Sequence, residues 1–273
     1  MYLRIIIKDY YYIAMVELSK RMQAVAAFVP KNTVACDVGC DHGFVSIYLV
    51  QQKICPKVIA MDVKAGPLQR AREHIQEYGL EDYIPTRLSD GLSAIKPEEA
   101  EDSIDGAIIA GMGGRLVVKI LSDSLDKVRK MSYLVLQPQS ELAFVRKWLR
   151  QQELFITDED MVLEDGKYYP VLFIELEKNR KCLGQTLERP EEKLKMTAER
   201  EKNQKEAARQ EAEDHFGPCL IQKRHEVLKS YLQFWEKHQR NILEQVKEHP
   251  ERGKQVLQEL ERIRYTMELM ENA

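Results

Sequence analysis

Short apolar runs alternate with helical patterns along the first two thirds of the chain. Residues 34–39 and 57–63 are apolar runs that end at or near a glycine or an acidic side chain, which is typical of buried strands. Residues 66–79 place apolar side chains three or four positions apart and carry Pro67 in the first turn, which is typical of a helix. Further strands are predicted over residues 83–91, 104–111 and 132–139. Because repeated strand–helix alternation builds a parallel sheet between two layers of helices, the pattern predicts an α/β fold.

The pattern changes after the fifth predicted strand. Residues 154–177 contain two strand-like runs around Asp165–Gly166, which predicts a tight hairpin at the edge of the sheet. Residues 178–215 carry many charged and few large apolar side chains, so we expect a solvated helix or a disordered insertion. From residue 216 onward, apolar side chains recur at heptad spacing on both sides of a break at His249–Pro250. This spacing predicts an antiparallel helical hairpin that packs as a coiled coil.

Composition narrows the possible partners. The 273 residues carry a net charge of −3, so any contact with nucleic acid must come from local basic clusters. The candidate clusters are Lys20–Arg21, Arg146–Lys147–Arg150, and Lys223, Arg224, Lys229, Lys237 and Arg240 of the hairpin. The sequence contains no uninterrupted apolar run long enough for a membrane-spanning helix, and its beginning does not resemble a signal peptide.

The cysteines indicate a reducing compartment. Five are scattered along the chain without Cys-x-x-Cys spacing, which disfavours a zinc site and a redox dithiol. They are Cys36, Cys40, Cys55, Cys182 and Cys219. We therefore expect a cytoplasmic protein without a metal site.

The loop after the first predicted strand has the composition of a ligand site. In doubly wound sheets, ligands bind beyond the carboxyl ends of the strands. Gly39 permits a sharp turn there, and Gly43 lets the backbone approach a ligand or the next helix closely. Asp41 stands where a dinucleotide-binding loop would have its second glycine, and its carboxylate would repel a pyrophosphate. The loop is either a plain strand–helix turn or a site for a cationic ligand, and it fits the ammonium and sulfonium of S-adenosylmethionine better than NAD.

Three further strand ends carry matching signals. Asp62 is placed to accept hydrogen bonds from ribose hydroxyls, or else to cap the helix that follows. Asp90 could accept a hydrogen bond from an adenine amino group. Residues 110–114 contain three glycines, which allow a flat ligand to pass close to the backbone. Together with the first loop, these segments predict a site for a nucleoside-bearing cofactor.

The order of these segments resembles the bacterial tRNA (adenine-22-N1)-methyltransferases. The similar segments are Leu-Ser-Lys-Arg at 18–21, Asp-Val-Gly-Cys-Asp-His-Gly at 37–43, Asp-Val-Lys-Ala-Gly-Pro at 62–67, Ser-Asp-Gly at 89–91, Ala-Gly-Met-Gly-Gly at 110–114, Leu-Gln-Pro at 136–138, Glu-Asp-Gly-Lys at 164–167 and Phe-Gly-Pro at 216–218. The resemblance covers nearly the whole chain from Met15, which makes Met15 an alternative start. It departs from the family at His74, where an amide is usual, and in the length of the charged stretch after residue 177.

The resemblance implies a Rossmann-like class I methyltransferase fold, with a mostly parallel seven-stranded sheet and a C-terminal coiled-coil domain. It also implies methyl transfer from S-adenosylmethionine to N1 of adenine 22 in tRNA. The expected parts are an N-terminal extension (1–14), a catalytic domain that binds S-adenosylmethionine (15–177), a charged linker (178–215) and a helical hairpin (216–273). We expect tRNA as the partner, no membrane or metal partner, and a monomer or weak dimer.

Site residues follow from the matching segments. The expected cofactor-binding residues are Arg21, Asp37, Gly39, Asp41, His42, Gly43, Asp62, Val63, Asp90, Gly91, Ala110, Gly111, Met112 and Gly113. Asp41, His42 and Gln137 are the side chains expected to face the target base as catalytic residues. His42 has the alternative role of a structural hydrogen-bonding residue in the turn.

Other functions stay open at this point. The acceptor could be a small metabolite or a protein, although the charged hairpin favours RNA. An inactive protein that only docks RNA and an NAD-linked oxidoreductase are the alternatives outside this enzyme class. The proline-rich motif of enzymes that methylate exocyclic amines is absent after the fourth strand, which disfavours the adenine amino group as acceptor.

Overall fold

The computed structural model describes residues 15–97, 99, 103–176, 196–246 and 249–273. The expected N-terminal extension, residues 1–14, lies outside the described residues, and so does the first part of the expected linker, up to residue 195.

A single seven-stranded sheet forms the centre of the α/β part. Its strands are β1 (Val34–Val38), β2 (Lys57–Asp62), β3 (Thr86–Leu88), β4 (Gly106–Met112), β5 (Tyr133–Pro138), β6 (Asp158–Glu164) and β7 (Lys167–Glu175). The spatial order is β3-β2-β1-β4-β5-β7-β6. Strands β1 to β5 pair in parallel, whereas β7 is antiparallel to both of its neighbours. The Rossmann-like, mostly parallel sheet that the sequence predicts is therefore confirmed.

Strand β3 is shorter than the predicted span of 83–91. The backbone still accepts hydrogen bonds at Tyr83 and Pro85, from Val58 and Ala60 of β2. Pro85 has no N–H group to donate, so the ladder on this edge strand is regular only from Thr86.

Two layers of helices cover the sheet. The helices of this part are α1 (Lys20–Ala27), α2 (Phe44–Gln51), α3 (Ala65–Glu77), α4 (Gly114–Asp123), α5 (Leu125–Val128) and α6 (Leu142–Gln151). Helices α1 to α3 pack on one face, where Val25 and Ile47 lie in the same buried cluster as Val135 of β5. Helices α4 to α6 pack on the other face, where Val117 lies in a cluster with Leu136 of β5. Successive β5 side chains thus point to opposite layers, as strand geometry requires.

The C-terminal region is helical. It contains α7 (Met196–Phe216), α8 (Pro218–Gln222), α9 (Glu226–Gln245) and α10 (Pro250–Asn272). Helices α9 and α10 run antiparallel. The start of α9 lies next to the end of α10, where Arg224 donates a hydrogen bond to Glu271 O. The predicted helical hairpin is thus present, while its coiled-coil packing and the boundaries of the four expected parts stay predictions. Across the described ranges, no helix combines the length and apolarity needed to cross a bilayer.

A buried ion pair joins the two regions. Arg146 of α6 donates from Nε to Glu159 Oε1 of β6 at 2.9 Å, and both side chains are almost fully buried. Arg146 Nη1 also donates to the backbone oxygens of Asp214 and His215 in α7, at 3.1 and 3.0 Å. Glu159 Oε2 accepts a hydrogen bond from the N–H of Cys219 in α8.

This pair corrects one interpretation of the sequence. The cluster Arg146–Lys147–Arg150 is predicted to meet RNA phosphates, and that prediction is wrong for Arg146, which is buried. Arg150 is engaged by the Asp214 carboxylate. Lys147 is exposed. A run of basic residues on a helix does not reveal that one of them faces a carboxylate on a distant strand.

Candidate functional site

The loops that the sequence singles out meet at the carboxyl edge of the sheet. Strand β1 lies between β2 and β4, and Val38 is level with Met61 and Ile109. The N–H groups of Gly39 and Cys40 both donate to Met61 O, at 2.8 and 2.9 Å. The end of β1 is thereby held against the end of β2. The segments that start at Gly39, Asp62 and Ala110 consequently lie side by side.

Glycine allows the loops at the centre of this edge to turn sharply and to pack closely. Gly39 has a φ of +76°, and a Cβ atom on it would lie 2.1 Å from Met112 Cε. Gly111, on the other side of Met112, has a φ of +77°. Both positions thus require the left-handed conformation that only glycine adopts without strain. The Met112 side chain packs directly on the backbone of Gly39, so the loops after β1 and β4 are in close contact.

Two buried carboxylates lie at this edge. Asp37 is buried and accepts a hydrogen bond from the Ser46 hydroxyl at 2.7 Å. Burial raises the pKa of Asp37 to about 6, the Ser46 hydrogen bond opposes that rise, and the nearby charge of Asp62 adds to it. Asp62 Oδ1 accepts a hydrogen bond from Lys64 N at 2.8 Å. Helix α3 has no side-chain cap, so Asp62 fixes the turn before the helix and does not cap the helix itself.

Exposed apolar side chains lie beside these carboxylates. Val63 directly follows β2 and is 57% exposed, and Leu88 is the last residue of β3 and is 59% exposed. Asp90 is exposed two residues after β3, and Gly91 next to it has a φ of +57°. Isolated exposed apolar residues are common. Here, however, Val63 and Leu88 lie at the ends of the adjacent strands β2 and β3, close in sequence to Asp90. This part of the edge can hold a flat ring that carries an amino group.

The structure turns Asp41 and His42 toward helix α3. Asp41 has a φ of +47°, and its Oδ1 accepts from Arg70 Nη2 at 3.2 Å. The His42 ring stacks on the rings of Phe44 and His74, with centroid distances of 5.7 and 5.4 Å. His74 Nδ1 lies 2.9 Å from the His42 carbonyl oxygen, which can only accept a hydrogen bond. Gly43 is in contact with α3 too, because a Cβ atom on it would lie 3.2 Å from the Cβ atom of Ala71.

Gln137 is fully buried at the end of β5. Its Oε1 accepts from Gly111 N at 3.1 Å, which ties the glycine loop to β5. Its Nε2 has no hydrogen-bond partner. A buried amide donor without a partner is unfavourable, so this atom points to a ligand that supplies an acceptor.

A cavity of about 500 Å³ opens at the same edge, between α1 and the β6–β7 hairpin. Its lining residues are Ser19, Lys20, Arg21, Leu163, Glu164, Asp165 and Tyr169. The Arg21 guanidinium lies 5.1 Å from the centroid of the Tyr169 ring, and its Nε is 3.6 Å from Glu164 Oε2. The sequence prediction grouped Arg21 with the cofactor loops, whereas the structure brings it to these two side chains. The sequence does not identify Tyr169 as a site residue. The nearest segment that indicates a functional role is Glu-Asp-Gly-Lys at 164–167, which resembles the family.

Metal ligands do not cluster in the part of the chain that the structure describes. There, no group of three or more His, Cys, Asp or Glu side chains could hold an ion. The chemistry of the edge thus consists of carboxylates, glycine backbone, one buried amide and an aromatic–guanidinium pair.

Comparison with known proteins gives the same picture. A tRNA (adenine(22)-N(1))-methyltransferase of Bacillus subtilis is 38% identical over 159 residues, which are 58% of this chain and 65% of that protein. The match thus spans less than two thirds of the relative's length. The crystal structure of the B. subtilis M1A22 tRNA methyltransferase TrmK superposes with a TM-score of 0.71 at 28% identity, over 92% of this chain and 99% of that one.

A third comparison concerns the ligand. Streptococcus pneumoniae Sp1610, crystallised in complex with S-adenosyl-L-methionine, has a TM-score of 0.70 at 29% identity and covers 92% of this chain and 99% of its own. The family described as "Methyltransferase domain" matches residues 18–172, which include every strand-end loop described above. The chain therefore belongs to the methyltransferase-domain family.

Proposed function

We propose that this protein transfers a methyl group from S-adenosylmethionine to N1 of adenine 22 in tRNA. The observation that carries the proposal is the pair of buried carboxylates, Asp37 and Asp62, at the carboxyl edge of the sheet beside loops that turn at Gly39 and Gly111. The similarity to the B. subtilis tRNA (adenine(22)-N(1))-methyltransferase supports the choice of acceptor.

The residues at this edge of the sheet fit this cofactor. In our proposal, Asp62 accepts hydrogen bonds from the ribose hydroxyls, and Asp90 accepts one from the adenine amino group. Val63 provides an apolar contact for the adenine ring. Asp37 offers negative charge near the methionine part, and the turn at Gly39 leads the chain from β1 past that part. The same proposal includes the loop positions Gly43, Gly91, Ala110, Gly111, Met112 and Gly113.

Methyl transfer to adenine N1 does not require strong activation of the reactants by the protein. The bound cofactor supplies a methyl group already activated by the positive charge on its sulfur. Adenine N1 is a neutral nucleophile, so the protein has to align the two reactants and accommodate the positive charge that forms on the base. N1 lies on the Watson–Crick edge, so a paired or stacked base must first turn out of its helix. That Asp41, His42 and Gln137 face this base stays a prediction. In the structure Arg70 donates to the Asp41 carboxylate, and the His42 ring stacks on His74.

The exposed lysines are the proposed phosphate contacts. Among the basic residues singled out from the sequence, Lys223 and Arg240 form ion pairs with Asp158 and Glu236. Lys20, Lys147, Lys229 and Lys237 are exposed. We assign tRNA phosphates to these exposed residues, which lie on α1, α6 and α9. The proposed setting is the cytoplasm, where tRNA is modified, and the protein acts there as a monomer or weak dimer.

One experiment tests the proposal directly. Unmodified tRNA is incubated with the protein and labelled S-adenosylmethionine, and the modified nucleotide is then mapped. Label at N1 of adenine 22 supports the proposal, and label on another base or on a small molecule refutes the acceptor. Cofactor binding in titration without any transfer to tRNA would identify an RNA-docking protein. Binding of NAD in place of S-adenosylmethionine would refute the enzyme class.

A further inference from the structure

We propose that the cavity between α1 and the β6–β7 hairpin receives the target adenine. Arg21 and Tyr169 stack against the base, and Glu164 accepts a hydrogen bond from its amino group and stabilises the methylated product. This inference rests on the proposed function, since it names the acceptor subsite of the same enzyme.

The position of the cavity suits an acceptor. Gln137 follows Leu136, which pairs with Leu172, so the ends of β5 and the start of β7 are adjacent. Tyr169 is two residues before Val171, and Glu164 pairs with Lys167 across the hairpin. Alternation along the strands places Gln137, Tyr169 and Glu164 on the face of the sheet that α1 covers. The cavity consequently opens beside the cofactor loops at the carboxyl edge of β4 and β5.

Its size and walls suit a purine. A volume of about 500 Å³ lies within the range of about 300–1,000 Å³ that is usual for small-molecule sites. Arg21 and Tyr169 form a cation–π pair and both line the cavity, so a guanidinium and an aromatic ring are at hand as flat surfaces for a base. Proteins hold bases that have left a helix on such flat surfaces. Lys20 is exposed at the mouth of the cavity, where the phosphate next to a flipped base would pass.

The Glu164 carboxylate suits this reaction, while Lys20 and Arg21 balance the two acidic residues of the cavity as a whole. The lone pair of adenine N1 forms the new bond to the methyl carbon, and the electrons of the broken carbon–sulfur bond stay on sulfur. The positive charge therefore moves from sulfur to the adenine ring, where N1 and the amino group share it. The Glu164 side chain is only 16% exposed, so its carboxylate acts on that charge with less screening than a surface group would.

Gln137 provides a separate indication of a ligand at this edge. Its buried Nε2 has no partner, and it lies on the same face as Tyr169. Gln137 is fully buried and does not line the cavity, so its Nε2 gains an acceptor only if a ligand displaces the side chains around it. In contrast, the Asp41 carboxylate accepts from Arg70 and the His42 ring stacks on His74, both on α3. We therefore place the base on the α1 side of the edge and not on the α3 side.

The first test removes the charge of Glu164. Glu164→Gln keeps the shape of the side chain, and we expect it to lower the single-turnover rate of methyl transfer about ten- to a hundredfold. The dissociation constant of S-adenosylmethionine should stay within about twofold of wild type. The matched control is Glu77→Gln at the far end of α3, an exposed glutamate outside the cavity, which should leave the rate unchanged. A Glu164→Gln variant that binds cofactor normally and transfers at the wild-type rate would overturn the inference.

The second test separates stacking from side-chain size. Tyr169→Phe keeps the ring, so it should retain most of the transfer rate, whereas Tyr169→Leu should lose about tenfold or more. Equal rates for the two variants would overturn the stacking role, even if Glu164→Gln failed to fold. Failure of the proposed function looks different, because wild-type protein would then bind cofactor and leave adenine 22 unmodified. That result would refute the acceptor subsite as well.

Discussion

Replacing Arg146 by methionine should destabilise the protein by about 3–5 kcal/mol, the usual consequence of removing one partner of a buried ion pair. The Arg146 and Glu159 side chains are 2% and 0% exposed. Methionine fills much of the space of the arginine stem but leaves the Glu159 carboxylate charged, buried and without its cation. It also removes the donor to two carbonyl oxygens at the end of α7.

The loss of folding stability in Arg146→Met should depend on pH in a defined direction. Burial raises the pKa of Glu159, and Arg146 opposes that rise. Without Arg146 the opposing charge is gone, so the folded-state pKa of Glu159 rises further above its unfolded value. A carboxyl group of this kind contributes most stability below its unfolded pKa, and it loses that contribution as the pH rises through the folded pKa. The variant should therefore be closest to wild type in mild acid and furthest from it at neutral pH.

Urea unfolding at several pH values measures this effect. Lys147→Met is the matched control, because Lys147 is the exposed neighbour on the same helix. Adding Glu159→Gln to Arg146→Met should restore part of the lost stability, since a neutral amide can still accept from Cys219 N. If Arg146→Met were as stable as Lys147→Met at neutral pH, the ion pair would not be closed in solution and the reasoning would be refuted.

Four further predictions concern two glycines and the two buried carboxylates. Gly106→Ala should destabilise the fold by roughly 1–3 kcal/mol in thermal unfolding, because its Cβ would lie 2.4 Å from the Tyr133 ring. Gly66→Ala, on an open helix position, should be neutral or stabilising by about 0.5–1 kcal/mol. Asp62→Ala should weaken S-adenosylmethionine binding about ten- to a hundredfold, measured by titration on a variant shown to be folded, and unchanged affinity would limit Asp62 to its turn. Cofactor affinity should fall as the pH drops through about 6, where Asp37 takes up a proton, and Asp37→Asn should abolish that dependence. The effect of Asp37 on folding has the opposite sign, since a raised carboxyl pKa favours the folded state at low pH and loses that contribution above about pH 6.

The strands and the cofactor edge were predictable because local sequence determines them. Apolar runs that end in glycine or aspartate identify buried parallel strands, and parallel strands place their carboxyl ends at one edge. Asp37 and Asp62, which lie far apart in the sequence, could therefore be assigned to the same edge of the sheet from the sequence alone. The Asp165–Gly166 turn was predictable for a similar reason, since both residues adopt positive φ in the hairpin.

The acceptor side and the link between the regions depend on long-range contacts. Arg21 and Tyr169 are in contact although they lie 148 positions apart in the sequence (169 minus 21). No periodicity in the sequence predicts this contact. Arg146 stands in a run of basic residues typical of a solvated helix face, and only the position of β6 reveals its buried partner. Local patterns specify what an element is, but the packing of α1, α6 and α7 on the last hairpin decides which of their side chains face each other.

Strand β6 connects the ion pair with the proposed acceptor cavity. Glu159 near the start of β6 is held by Arg146 and by α8, and Glu164 at the end of the same strand lines the cavity. Because β6 is the edge strand, it has only β7 beside it in the sheet, and the C-terminal helices supply its other support. Loosening the ion pair should consequently allow the hairpin to shift and should disturb Glu164, while the glycine loops between β1 and β4 stay in place. In Arg146→Met, methyl transfer to tRNA should therefore decline more than cofactor binding does, which assigns the helical region a part in holding the acceptor side of the site.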